Sequence, residues 1–140
     1  MIDSLSMANT VSTWFLVGVI WLIQLVVYPS FRNIDPGRFR GAMLHHQKWM
    51  ARIVILPMLV ELVTSLALLA LHTDSLIYWY GCMCVATWGF STLLIQVPQH
   101  TAIAVGDLPQ SDSNHLTVWN WPRTLAWTAH GILCAFAVAT

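Results

Sequence analysis

The apolar positions of this chain fall into four long runs, and most strongly polar residues that interrupt a run sit toward one end of it. Val11 to Tyr28 contains no charged residue and is apolar enough for one spanning helix, with Pro29 expected to end it. Ile53 to Leu71 carries a single charge, Glu61. Leu76 to Val97 holds scattered small polar residues and is expected to end at Pro98. From Thr124 to the last residue 17 positions remain, about 26 Å of helix against a hydrocarbon core of about 30 Å. The fourth helix must therefore begin upstream, drawing Asn120 and Arg123 toward the membrane. The pattern predicts an all-α polytopic membrane protein: a single domain, residues 1–140, folded as an antiparallel bundle of four transmembrane helices. The spans fall at about 11–29, 53–72, 76–98 and 121–139.

The connections are not loops throughout. Asp35-Pro36-Gly37 is a helix-start signal, and RFRGAMLHHQKWMARIV can run unbroken into the second span. Asp112 or Ser113 can cap a helix that includes HLTVWNWPRT and continues into the fourth. Helices two and four then extend into the cytoplasm. Pro57 and Pro122 each remove a backbone hydrogen bond, so a kink is expected near each.

Charge supplies the orientation. Arg32, Arg38, Arg40, Lys48 and Arg52 lie between the first two runs and Arg123 opens the fourth, whereas the connection LHTDSLIYW has only Asp74. By the positive-inside rule the first and third connections are cytoplasmic and both termini lie outside, which agrees with four crossings. The opening MIDSLSMANT lacks the features of a cleaved signal peptide, so the first run is expected to be retained.

Composition agrees: 57% of residues are hydrophobic and 9% charged, with a formal net charge of zero. The absence of a basic or acidic run argues against nucleic acid as a partner. Cys82, Cys84 and Cys134 lie in apolar runs and read as buried thiols. On a helix Cys82 and Cys84 point about 200° apart, which does not suit one metal ion. Of the eight tryptophans, Trp14 and Trp79 suit an outer interfacial belt and Trp49, Trp119 and Trp121 an inner one, while Trp21, Trp88 and Trp127 fall deeper.

The candidate chemistry lies in residues that hydrocarbon should exclude. Gln24, Glu61, Gln96, His100, Asn120 and Arg123 all fall in the cytoplasmic half, and polar groups there must face the bundle interior. Four helices are thus expected to converge on one polar pocket. Glu61 should approach Arg123, directly or through Gln96 or Asn120. Asn120, Arg123, Trp127 and His130 form one stripe of the last helix. His46 and Glu61 are 15 positions apart, about 22 Å of helix, so His46 belongs at the pocket mouth. His45 and His46 sit among basic residues where lipid headgroups are the default contact.

The stretches WLIQLVVYPSF, HHQKWMARIVILPMLVEL, STLLIQVPQH and NHLTVWNWPRT resemble a widespread group of small, uncharacterised four-helix bacterial membrane proteins over nearly the whole chain. The resemblance implies a bacterial inner-membrane location and puts Gln24, Tyr28, His46, Glu61, Gln96, His100, Asn120 and Arg123 on motif positions. More distantly, VP-x-H and WN-x-x-RT are similar to anthrone-oxygenase-like membrane proteins, which implies oxidation of aromatic polyketides. That family usually has Asn at the place of His100.

Two functions follow. In the first, the chain is an oxidoreductase acting on a lipophilic molecule. Glu61 is then the general base, Arg123, Asn120 and Gln96 stabilise an oxyanion, and His100 shuttles the proton, while Gln24, Tyr28, Trp88 and Trp127 contact the ligand. A variant has His46 and His100 holding a metal ion or haem. In the second, the chain is an accessory subunit of a membrane complex or a homo-oligomer, its polar residues fastening helices together. In both, the lipid bilayer is a partner.

Overall fold

In the computed structural model, which describes residues 4–105 and 113–139, the chain is all helical apart from short connections, with no strand among the described residues. Four rods form. The first, α1 (Ser4–Asn33), is helical throughout, with a wide π turn at Ile23–Val27 and a 3₁₀ turn at Phe31–Asn33. The second, α2 (Pro36–Leu71), is one helix of 36 residues, about 54 Å long. Asp35 caps it, accepting a hydrogen bond from the Gly37 N–H at 2.9 Å, and Pro36 takes the position where a missing N–H costs nothing. The third, α3, comprises Leu76–Ser91, a π turn at Thr92–Gln96, and Val97–Val105. The last rod is α4 (Ser113–Trp119) and α5 (Trp121–Ala139), broken at Asn120. The expected cap Asp112 lies outside the described residues.

Two prolines behave differently from expectation. Pro29 and Pro98 do not end their helices, which run on to Asn33 and Val105. In each case a π turn ends two positions before the proline. The widened turn gives room for a ring that would clash with the carbonyl four residues back. Pro57 lies inside α2 without interrupting it. The fourth rod breaks at Asn120, two residues before Pro122, as the expected kink required.

Neighbouring rods run in opposite senses. Asn9, near the start of α1, bonds Thr64 and Ser65 near the end of α2, and Gln24 in the second half of α1 bonds Thr117 at the break. Gln47 of α2 reaches the His100 carbonyl of α3, while Cys82 at the other end of α3 lies against Ser65. Two apolar clusters fill the interior: Leu16, Val17, Ile20, Val85, Trp88 and Trp127 in one, and Ile23, Phe31, Phe39, Met43, Ile103 and Leu116 in the other. Between α1 and α5 the fit is close, since a Cβ on Gly131 would stand 3.3 Å from both Trp14 and Val17.

The surface inverts the soluble pattern. Leu22, Leu25, Leu56, Val63, Phe90, Leu93 and Phe136 are exposed, whereas Asn9, Thr13, Gln24, Glu61, Gln96, Asn120, Arg123 and His130 are buried. The rods containing Ser4–Asn33, Pro36–Leu71 and Leu76–Ile103 are each long and apolar enough to cross a membrane. The five tryptophans assigned to belts are exposed, while Trp88 and Trp127 are buried. Cys134 is buried as expected, but Cys82 and Cys84 are only half-buried, Cys82 against Ser65 of α2 and Cys84 in a hollow beside Ala129 and Ile132 of α5.

Candidate functional site

The expected single pocket resolves into three groups of polar side chains. The first surrounds Glu61, which is wholly buried. Its Oε1 accepts hydrogen bonds from His130 Nδ1 at 2.7 Å and Thr13 Oγ1 at 3.1 Å, and its Oε2 accepts from Trp127 Nε1 at 2.8 Å. Nearby, Asn9 donates to Thr64 and Ser65 and accepts from the Cys134 thiol at 3.1 Å. Three donors from two helices satisfy an acid on a third, as a carboxylate away from water requires. His130, Asn9, Thr13 and Cys134 were not selected from sequence as Glu61's partners. Glu61 lies eight positions into the second apolar run and His130 nine positions past Trp121, so their common depth was legible. The unevenness of charge drew attention to the other end of the bundle.

The second group fastens the break in the last rod. Gln24 donates to the Thr117 carbonyl at 3.0 Å and accepts from Asn120 Nδ2 at 2.8 Å and Thr124 Oγ1 at 3.4 Å. Gln24, Asn120 and Thr124 are buried. Gln24 thus supplies a partner to a carbonyl where the helix is interrupted.

The third group lies on a cleft of about 380 Å³ whose walls are α2 and α3 and whose floor includes Ile23, Tyr28 and Arg123. His46 and Gln47 project from α2, Gln96 and His100 from α3. Each polar group on α1 and α3 stands at or just after a π turn, which sets its direction: Tyr28 follows Ile23–Val27, and Gln96 closes Thr92–Gln96. His100 Nδ1 faces the Gln96 carbonyl at 2.7 Å. A carbonyl can only accept, so this nitrogen carries a proton, and Nε2 is the ring's acceptor for the Tyr28 hydroxyl at 3.2 Å. Tyr28 also lies 3.3 Å from Gln96 Oε1. The rings of His46 and His100 are nearly parallel, with centroids 6.1 Å apart.

Arg123 is the unusual member. It is buried, lies beside the Tyr28 hydroxyl, and stands 5.3 Å over the Trp127 ring. Among the described residues no Asp or Glu lies within ion-pair reach of it, the acid–base pair being His130 with Glu61. Arg123 Nε and Gln96 Nε2 are buried donors with no acceptor. The expected approach of Glu61 to Arg123 is therefore corrected. Trp127 stands between them, its indole N–H on Glu61 Oε2 and its face toward Arg123, while His130 on the same helix bonds the acid's other oxygen.

The cleft gathers Tyr28, His46, Gln96, His100 and Arg123, and leaves Glu61, Gln24 and Asn120 outside its lining. Trp88 stacks on Trp127 with centroids 5.0 Å apart and lines an adjoining hollow. A metal ion held by protein side chains alone on His46 and His100 does not fit the donor set: both ring nitrogens of His100 are engaged, and among the described residues no three His, Cys, Asp or Glu side chains gather.

These features define a helical bundle with an apolar exterior, a closed acid–histidine network in its interior, and a half-open cleft floored by an arginine that has no acidic partner among the described residues. No family model, curated protein or solved structure matches this chain.

Proposed function

We propose that the chain is an integral membrane protein with four crossings and both termini outside, and that its cleft binds a lipophilic molecule by an oxygen-bearing end. The observation that carries this is Arg123, a buried cation on the floor of an open cleft with no acid beside it among the described residues. A desolvated charge without a counter-charge is costly, and an anionic or strongly accepting oxygen relieves that cost. Gln96 Nε2 offers a second free donor to the same oxygen.

Beside the donors lies a proton path, with the Tyr28 hydroxyl on His100 Nε2 and His100 Nδ1 on the Gln96 carbonyl. A phenol or enol bound here would pass its proton through the Tyr28 hydroxyl to His100 Nε2, leaving an imidazolium whose Nδ1–H stays on the Gln96 carbonyl, and would rest as an anion against Arg123. Oxidation is the enzymatic form of the same reading: the anion is the electron-rich form of the substrate, and its electrons pass to a diffusible acceptor such as a quinone. It agrees with the oxygenase-like resemblance of the WN-x-x-RT stretch. Glu61 has no part in this chemistry. Its oxygens are fully engaged by neighbours, so the fastening role, expected of all the polar residues in the accessory reading, is supported for Glu61, Gln24 and Asn120.

The test is to purify the protein in mild detergent and examine what leaves it on extraction. A stoichiometric lipophilic molecule bearing an acidic or carbonyl oxygen is expected from the wild type and should be missing from Arg123→Gln. If both proteins are empty, and neither binds 4-ethylphenol more than a Tyr28→Phe/His100→Ala double variant does, the accessory-subunit reading replaces this one.

A further inference from the structure

The cleft does not end where its polar groups end. Ile55, Met58 and Thr92 belong both to its wall and to that of a second hollow of about 390 Å³, which continues along the same seam between α2 and α3. The second hollow is lined by Leu59, Leu62, Val85 and Phe90 among others, and by no ionisable side chain. Along Leu76–Ser91, α3 packs more closely on α5 than on α2, so this seam is the looser one. The joined space is polar at one end and apolar at the other.

We infer that the ligand is a single-chain amphiphile, with an ionisable hydroxyl head at Arg123 and one unbranched tail lying in the α2–α3 seam, entered sideways from the bilayer. The inference rests on the headgroup site proposed above and adds the tail. Its size argument is simple: a methylene is close to a water molecule in volume, about 30 Å³, so the second hollow holds on the order of a dozen carbons, one tail rather than two. Moving a tail from lipid to this groove gains little hydrophobic energy, since lipid is as apolar as the groove wall. The groove fixes where the tail lies, and position is therefore the readout.

Gly89 gives a means of blocking the tail without touching the head. It lines the second hollow, and a Cβ built on it meets nothing within 4 Å, so a leucine side chain there enters the space meant for the tail. The probe is 4-dodecylphenol carrying a diazirine on its terminal carbon, with the protein in phosphatidylcholine nanodiscs. After irradiation, peptide mapping should place the label on Leu59, Leu62, Val85 and Phe90. Unlabelled 4-ethylphenol, which has the head alone, should displace it. In Gly89→Leu the label at these positions should fall at least fivefold while 4-ethylphenol still binds, which also shows that the variant is folded. A label spread over outward residues such as Leu22, Leu25 and Phe136, in the proportions given by a headless dodecane diazirine, overturns the tail site. If that spread occurs while 4-ethylphenol binds in an Arg123-dependent way, the tail inference alone fails; if 4-ethylphenol does not bind, the headgroup reading fails with it.

Discussion

Glu61 and Arg123 show how two buried charges in one bundle can have opposite consequences. Glu61→Ala strands three buried donors, Thr13 Oγ1, His130 Nδ1 and Trp127 Nε1. At about 1–3 kcal/mol for each unsatisfied group, the loss should be at least about 3 kcal/mol. Glu61→Gln keeps one oxygen as acceptor but turns an amide N–H₂ toward a donor, so it should cost an intermediate amount. Arg123→Gln removes a cation that has no acid beside it among the described residues, and should cost less than about 1 kcal/mol or be neutral. Thermal unfolding of the four proteins in one detergent checks the order: wild type and Arg123→Gln together, then Glu61→Gln, then Glu61→Ala. If Arg123→Gln unfolds as early as Glu61→Ala, Arg123 is structural and the ligand reading loses its main support.

At the scale of helices, close contacts and open ones separate. The α1–α5 crossing leaves no room beyond a hydrogen at Gly131, because Trp14 and Val17 stand at 3.3 Å from where a Cβ would be. Gly131→Val should force the helices apart at about 1–3 kcal/mol, the usual cost of overpacking, seen as an earlier unfolding midpoint. A Cβ on Gly81 would stand 3.2 Å from His130 Nε2, so a larger residue there should disturb the Glu61 network in the same assay. Gly89→Leu, in open space, should leave the midpoint unchanged. The π turns before Pro29 and Pro98 belong to this scale as well. A helix must lose one hydrogen bond at a proline, and here the loss is placed beside the cleft, where the widened turns aim Tyr28, Gln96 and His100 inward.

For the whole molecule, the inverted surface and the distribution of charge combine into a topology. With Arg32, Arg38, Arg40, Lys48 and Arg52 all between the first two rods, that end should face the cytoplasm. With Cys82, Cys84 and Cys134 replaced, Ser4→Cys should react with an impermeant maleimide added to intact cells, and Arg40→Cys should react only after permeabilisation. The reverse result would invert the protein and place the cleft's polar end on the outer side.

The sequence by itself determined the number of rods, because apolar runs and the charges between them are local properties that each helix needs for its own burial; it did not determine their lengths, since the first and third run past the prolines expected to end them. It also led to the expectation that α2 and the last rod extend beyond their apolar stretches, and that Gln24, Glu61, Gln96, Asn120 and Arg123 turn inward, where the structure buries them. It did not determine which of these meet. That depends on the rotation of each helix about its axis, and a π turn alters this rotation without any mark in the hydrophobic pattern. Two such turns bring Tyr28 to His100, and the packing of α5 turns His130 and Trp127, rather than Arg123, onto Glu61. Only the tertiary structure therefore decided that the acid is closed within a complete network while the arginine is left facing an open cleft. Whether a polar group is satisfied depends on all its neighbours at once, and most of those neighbours lie far away along the chain.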